Sequence, residues 1–356
     1  MALVWLPGAA ALGCVLAGLA ARGVAAASAG GLTAFVVATA AGDRACEFSA
    51  GQLENGTAYA VFDDLVDSTG WGQLEVWTPP AASERWSPPD QAFAAGCLEG
   101  FLTQLRMHQY WSNYAAAEYG PAGPGPKLLA FMAAQLEYAR GVAAAEAGSA
   151  FWRGLGLLLA QFDGLAAGYG TAAPPEQALS PLLLYMLNSV GDLEDLNGLF
   201  GGGRPTAAGG LGGRMPVALK ETDCSAMIVA TPGELLAGQT TWRGYYAMLR
   251  VYKVYHFSFT PAGVVSFSSS PGLIHSKDDF YTAGSGLVVM ETTNSVFNES
   301  LFAAVTPQCA LSWQRAMVAT QFADSGASWT ALFSVNNSGS EFVRACVRGV
   351  VSLLCC

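Results

Sequence analysis

The chain has 356 residues, 52% of them hydrophobic and only 12% charged, with a formal net charge of −10 and a sequence pI of about 4.7. That length admits one large domain or two smaller ones and a substantial core. The acidic balance and the lack of any Lys/Arg cluster argue against a nucleic-acid partner and fit a secreted or lysosomal compartment.

Residues 1–29 read as a signal peptide, with an apolar core from Leu12 to Ala21 and small residues from Ala25 to Ala29 for cleavage. No Lys or Arg precedes that core, which departs from the usual pattern. A membrane anchor is the competing reading. Gly8, Gly13, Gly18 and Arg22 interrupt the run, which falls short of the ~20 apolar residues a span needs. No later stretch qualifies, so no stable transmembrane anchor is expected. Three sequons, at Asn55, Asn298 and Asn336, agree with a secretory route. No Cys-x-x-Cys pair occurs, so neither a metal site nor any other cofactor is expected. One disulfide among Cys46, Cys97 and Cys309 suits an oxidising compartment, and the spacing does not choose the pair.

In chain order, Leu32 to Thr39 and Ala58 to Phe62 read as strands, and Ser68 to Gly72 as a turn into the alternating strand Leu74 to Trp77. Asp90 to Tyr119 reads as one helix, with Asp90 as its N-cap. Further helices are expected from Lys127 to Ala147, from Ser149 to Gly168, and from Ser180 towards Leu187, where Pro181 suits the first turn. Gly198 to Pro216 is glycine-rich and cannot hold regular structure cheaply, since each glycine costs about 1 kcal/mol in a helix interior. A phosphate loop would need a Gly-Lys-Ser/Thr ending and an entering strand, both missing here, so a protease-accessible linker is the better reading. Beyond it, Met227 to Thr231 reads as a strand and Thr240 to Tyr255 as a helix. Strand pairs are expected over Phe257 to Ser269 and Phe280 to Thr293. A helix is expected over Leu301 to Ala323 and an amphipathic segment over Ser328 to Val335. Helices first, then strands mixed with helices, indicate an α+β or layered architecture.

Cys224 opens the second texture. On local sequence it reads as a buried strand cysteine, a common fate for that residue. Motifs spread along the chain alter the weighting: Thr69-Gly70-Trp71-Gly72, Leu98-Glu99-Gly100-Phe101, Leu187-Asn188-Ser189-Val190-Gly191-Asp192, Cys224-Ser225-Ala226, Asp278-Asp279-Phe280-Tyr281, Thr292-Thr293-Asn294-Ser295 and Leu311-Ser312-Trp313-Gln314-Arg315. In this order, from about residue 57 to 340, the sequence resembles the phospholipase B-like family.

The resemblance implies an N-terminal-nucleophile hydrolase fold, a four-layer αββα sandwich, in a precursor that cuts itself so that a cysteine becomes a chain terminus. The bond is Asp223–Cys224. A terminal Cys224 would carry both the nucleophile and an α-amino base with a pKa of about 7.7–8.0. Having only His108, His256 and His275 is then no objection. The implied organisation is a signal peptide (1–29), an N-terminal α+β region (30–197), a Gly-rich processing linker (198–223), a nucleophile-bearing α/β region (224–340) and a divergent tail (341–356). Where the family has Ala-His-x-x-Trp, this chain has Gln239 and Trp242, and Gln239 cannot take a proton near neutral pH. Thr292 or Thr293 matches the family's threonine near the nucleophile. The family continues for about 200 more residues, within ordinary domain size. They include an asparagine expected to hold the oxyanion, and one lost donor of that kind costs 10²–10³ in rate. The sandwich is therefore expected to be incomplete at its C-terminal end.

Three functions follow as expectations: an ester hydrolase removing acyl chains from phospholipids through a Cys224 thioester, an amidase acting on a lipid amide with the same nucleophile, and a secreted glycoprotein that binds lipid or a partner without turnover. Self-association is left open. A papain-like protease would need a Cys-Trp helix start, which is missing.

Overall fold

The computed structural model describes residues 31–39, 43–80, 84–200, 224–231, 235–293 and 298–340, and the backbone of 343–349 and 352–355. The expected signal peptide and residues 201–223 of the expected linker, Asp223 among them, lie outside the described residues. Among the described residues there are twelve strands: β1 (Leu32–Ala38), β2 (Arg44–Ala50), β3 (Ala58–Asp63), β4 (Trp71–Thr78), β5 (Cys224–Ala230), β6 (Leu235–Thr241), β7 (Arg250–Phe257), β8 (Val264–Ser269), β9 (Phe280–Ala283), β10 (Val288–Thr293), β11 (Val343–Gly349) and β12 (Ser352–Cys355). Ten of them make one sheet in the order β12-β11-β10-β9-β8-β7-β4-β3-β1-β2, while β5 and β6 form a separate hairpin. All pairings are antiparallel except β4 with β7, which joins the N-terminal and C-terminal halves of the sheet. A mixed sheet with packed helices is the expected α+β class.

The helices are α1 (Val66–Thr69), α2 (Pro88–Leu102), α3 (Gln104–Glu118), α4 (Pro126–Ala145), α5 (Ala150–Ala172), α6 (Pro181–Asn188), α7 (Val190–Phe200), α8 (Ser312–Phe322) and α9 (Gly326–Phe333). At the centre of their layer α2 and α5 touch backbone to backbone. A Cβ on Gly96 would stand 1.8 Å from the Gln161 carbonyl oxygen, and one on Gly164 1.9 Å from that of Phe93. Only glycine permits so close an approach. The seam is tied to the sheet by Glu99 of α2, which accepts from Lys253 Nζ at 2.5 Å and Tyr255 Oη at 2.5 Å. Both Glu99 and Lys253 are fully buried. A disulfide between Cys46 and Cys97 fastens β2 to α2, with 6.5 Å between the Cα atoms. It is one of the pairings the sequence left open, and Cys309 is free and buried.

Several local expectations are corrected. The helix expected over Thr240–Tyr255 does not form: β6, a short 3₁₀ turn at Tyr245–Ala247 and β7 take its place. In β7 Val251, Lys253, Tyr255 and Phe257 are buried on alternate positions, a period of two that the apolar run concealed. The helix expected from Asp90 to Tyr119 breaks at Thr103, whose hydroxyl bonds back to the Glu99 carbonyl at 2.7 Å and competes with the helical ladder. Its N-cap is Ser87 rather than Asp90, which stands in the first turn. The helix expected over Leu301–Ala323 is confined to α8, with a 3₁₀ segment Glu299–Ala304 before it. Between them lies Pro307, which lacks the N–H that a continuous helix needs. The turn expected at Ser68–Gly72 is α1 closed by Gly70 at φ 82°, with strand already from Trp71. Helix α7 runs to Phe200, past the expected linker start at Gly198.

The seam makes a paired prediction. Gly96→Ala should destabilise the protein by about 3 kcal/mol or more, because neither backbone can retreat. Gly141→Ala, in α4 with nothing within 4 Å of the added Cβ, should stabilise it by up to about 1 kcal/mol. Urea denaturation midpoints of the two variants check both signs.

Candidate active site

Cys224 is the first residue of β5, and register fixes its company. It pairs with Thr241, and Ala226 pairs with Gln239, so Cys224, Gln239 and Thr241 share one face of the hairpin. That face turns inward: Gln239 Nε2 donates to the Glu291 carbonyl at 2.7 Å, and Thr241 Oγ1 donates to the Asp278 carbonyl at 3.1 Å. Cys224 Sγ lies 4.0 Å from Thr241 Oγ1. Met227 (65% exposed) and Leu236 (52%) occupy the opposite face.

Opposite the thiol stands the β8–β9 loop, residues 270–279, buried through Asp278. A buried loop must account for its backbone polar groups, and here Asn188 does much of that. Its Nδ2 donates to the Gly272 carbonyl at 2.9 Å, its Oδ1 accepts from Ile274 N at 2.9 Å, and its carbonyl lies 2.7 Å from His275 Nε2. Lys253 Nζ donates to the Leu273 carbonyl at 2.7 Å and Ser269 Oγ to that of His275 at 2.6 Å. Held this way, the loop presents Lys277, Asp278 and Asp279. Lys277 Nζ reaches Glu194 at 3.3 Å, Asp278 forms an ion pair with Arg250, and Asp279 has φ 56°, a left-handed conformation unusual for a residue with a Cβ.

These surroundings set the protonation states. Burial, with the negative charges of Asp279 and Glu291 behind it, pushes the Cys224 thiol up to about 11; Thr241 and Lys277 oppose this more weakly. In this uncleaved chain Cys224 is a neutral thiol at physiological pH. His275 is fully buried and held down to about 3, chiefly by desolvation, so it is a neutral donor to Asn188 rather than a proton shuttle. Behind Asp279, Lys277 and Glu291 lies a small cavity, closed on the helix side by Trp313, Trp329 and Phe333, with about 20 Å³ for water centres. That is room for about one water.

Of the residues singled out in the sequence, the fold brings Cys224 and Gln239 together. Trp242 stands just beyond the end of β6, 68% exposed. Thr292 neighbours Glu291 on β10 and so faces the other side of the strand; the Thr293 side chain lies outside the described residues. Asn55 and Asn298 are exposed, whereas Asn336 is half-buried and donates to Tyr138 Oη at 3.0 Å. Sequence reasoning assigned no role to Thr241, Lys277, Asp279 or Glu291. Asp279 lay within a recognised motif, but its approach to Cys224 depends on a loop fold that no local pattern encodes.

The fold and site define an α+β protein with a strand-borne thiol set against a buried, charged loop. The Phospholipase B family model matches residues 58–345, and the chain belongs to that family. It is 40% identical over 299 residues to phospholipase B-like protein G of Dictyostelium discoideum, covering 78% of this chain and 50% of that protein. It is 38% identical over 299 residues to phospholipase B-like 1 of Homo sapiens (81% and 52%) and 35% identical over 297 residues to phospholipase B of Crotalus adamanteus (81% and 54%). The chain thus spans about half the length of these relatives. No described helix is long and apolar enough to cross a membrane.

The raised thiol pKa makes a direct prediction. Alkylation of Cys224 by iodoacetamide in the uncleaved chain should be slow at pH 7–8 and rise with a midpoint near 11, instead of the about 8.5 of a free cysteine. Peptide mass spectrometry across pH 7–11 checks it, and a midpoint below 9 would contradict the environment described.

Proposed function

We propose that the chain is a hydrolase of the phospholipase B type, acting on acyl ester bonds of phospholipids through Cys224 after cleavage of the Asp223–Cys224 bond. The observation that carries this reading is the inward placement of Cys224 at the very start of β5, on one face with Thr241 and Gln239, in a chain belonging to this family. Self-cleavage would run by attack of Cys224 Sγ on the Asp223 carbonyl carbon. The peptide C–N bond breaks, a thioester forms and the amide nitrogen leaves as the Cys224 α-amine. Water then hydrolyses the thioester to the Asp223 carboxylate and the free thiol. The new amine changes the electrostatics. As an ammonium it sets a positive charge beside Sγ and lowers the thiol pKa; as a free amine it accepts the thiol proton. Attack on an ester carbonyl would then give an acyl thioester and release the alcohol, and a second water would release the acid.

Gln239 stands where the family has histidine. With its amide N–H clamped on the Glu291 carbonyl, it holds the hairpin against β10 and cannot take up a proton near neutral pH. The same geometry serves a lipid amide, since an acyl thioester forms from either substrate. The further proposals keep the family's terms: an αββα sandwich completed beyond this chain, a processed linker that starts after Phe200 and ends at Asp223, between an N-terminal region and the region 224–340, a signal peptide at 1–29, glycans at Asn55, Asn298 and Asn336, and a secreted or lysosomal location. One observation favours a protein that binds without turnover: Gln239, at the family's histidine position, cannot take a proton near neutral pH.

N-terminal sequencing of the mature protein should find a chain beginning at Cys224. Cys224→Ala should abolish both that terminus and fatty-acid release from phosphatidylcholine, with loss of at least about 10³ in rate. Intact chain with full hydrolytic activity would sink the reading, and a processed chain with no hydrolysis of ester or amide would leave the binding protein in its place.

A further inference from the structure

A second site lies in the helix layer, and none of the residues around Cys224 lines it. It is a groove of about 690 Å³ between α4, α5 and the start of α2, a size common for small-molecule sites. Leu157 and Ala160 belong to a small apolar cluster apart from the main core, with Phe259 and Phe322 packed on it and still partly open. Ala143, Ala144, Ala147 and Gly156 line the groove with short side chains and give it width. Apart from charged groups, every lining residue is Pro, Ala, Gly, Leu or Phe.

The charged groups are Arg44, Arg140, Arg153 and Asp163. Arg44 pairs with Asp90 at 2.6 Å and Arg140 with Asp163 at 2.5 Å, all four partly exposed. Arg153 is exposed and makes no ion pair among the described residues. Three guanidinium groups against two carboxylates leave an excess of one positive charge. That excess gathers at a groove in a chain whose net charge is −10. Ser149 gives no side-chain cap to α5, which begins beside Arg153; the C-terminal turn of α4, whose Ala143 and Ala144 also line the groove, opposes that positive helix end, so the excess charge rests on the guanidinium.

We propose that this groove binds a single-chain anionic amphiphile, with the acyl chain on the apolar floor and the carboxylate or phosphate head at Arg153. The lining chemistry selects this occupant. Most of the wall comes from the interiors of helices, whose backbone groups are already bonded to one another, so an extended peptide laid along it would leave most of its own N–H and C=O groups without protein partners. A hydrocarbon chain has no such groups. A zwitterionic head would lose the advantage of the unpaired guanidinium. The proposal does not depend on Cys224 or on hydrolysis.

The test is titration calorimetry of the full chain with oleate, oleoyl lysophosphatidate and oleoyl lysophosphatidylcholine, each below its micelle-forming concentration. Saturable one-to-one binding of oleate or lysophosphatidate is expected, the tighter of the two identifying the head group, with lysophosphatidylcholine at least about tenfold weaker. Arg153→Glu should weaken the anionic ligands about tenfold or more. Ala144→Trp, at an exposed wall position, should block the trough and abolish binding, with near-ultraviolet circular dichroism confirming the native fold. Cys224→Ser should bind as the parent does, which separates this groove from the proposed active site. Equal binding of the zwitterionic lipid, no saturable binding, or binding indifferent to both groove variants would overturn the proposal.

Discussion

The structure depends first on the contact between α2 and α5. Gly96, Gly100, Gly164 and Gly168 interlock so closely that an added Cβ at any of them would lie about 2 Å from a facing carbonyl oxygen. Such an approach gives dense dispersion contact over two long helices and leaves no slack. The same helix, α2, carries Cys97 into the disulfide with Cys46 and Glu99 into the pair with Lys253. The seam therefore fixes where the helix layer meets the sheet.

From that junction the constraint passes to the candidate site. Lys253 bridges Glu99 to the carbonyl of Leu273, and Asn188 at the end of α6 clasps the same loop on both sides. Buried charges are costly unless fully partnered, so this arrangement tolerates little displacement. The loop that sets Lys277 and Asp279 beside Cys224 is thus located by the core rather than by its own sequence. The hairpin is held to it through the Asp278 and Glu291 carbonyls.

The state of the thiol follows from these contacts. A half-buried cysteine facing two carboxylates is held protonated, with a pKa about 11. This environment resists thiolate formation while the backbone nitrogen of Cys224 is an uncharged amide. A positive charge or a base at that nitrogen would reverse the balance.

The sequence by itself determined the class and several of the strands and helices, because alternation, helical spacing and Pro/Gly punctuation are local. Strands β1, β3, β8, β9 and β10 and helices α4 to α6 were legible in this way, as was the family from motifs along the chain. The tertiary structure decided what depends on distant partners. It made Arg250–Phe257 a strand by pairing it with β4, chose Cys97 for Cys46 and gathered Thr241, Lys277, Asp279 and Glu291 around one thiol. Those residues lie up to 67 positions from Cys224. Register and burial bring them together, and neither is a property of a local segment.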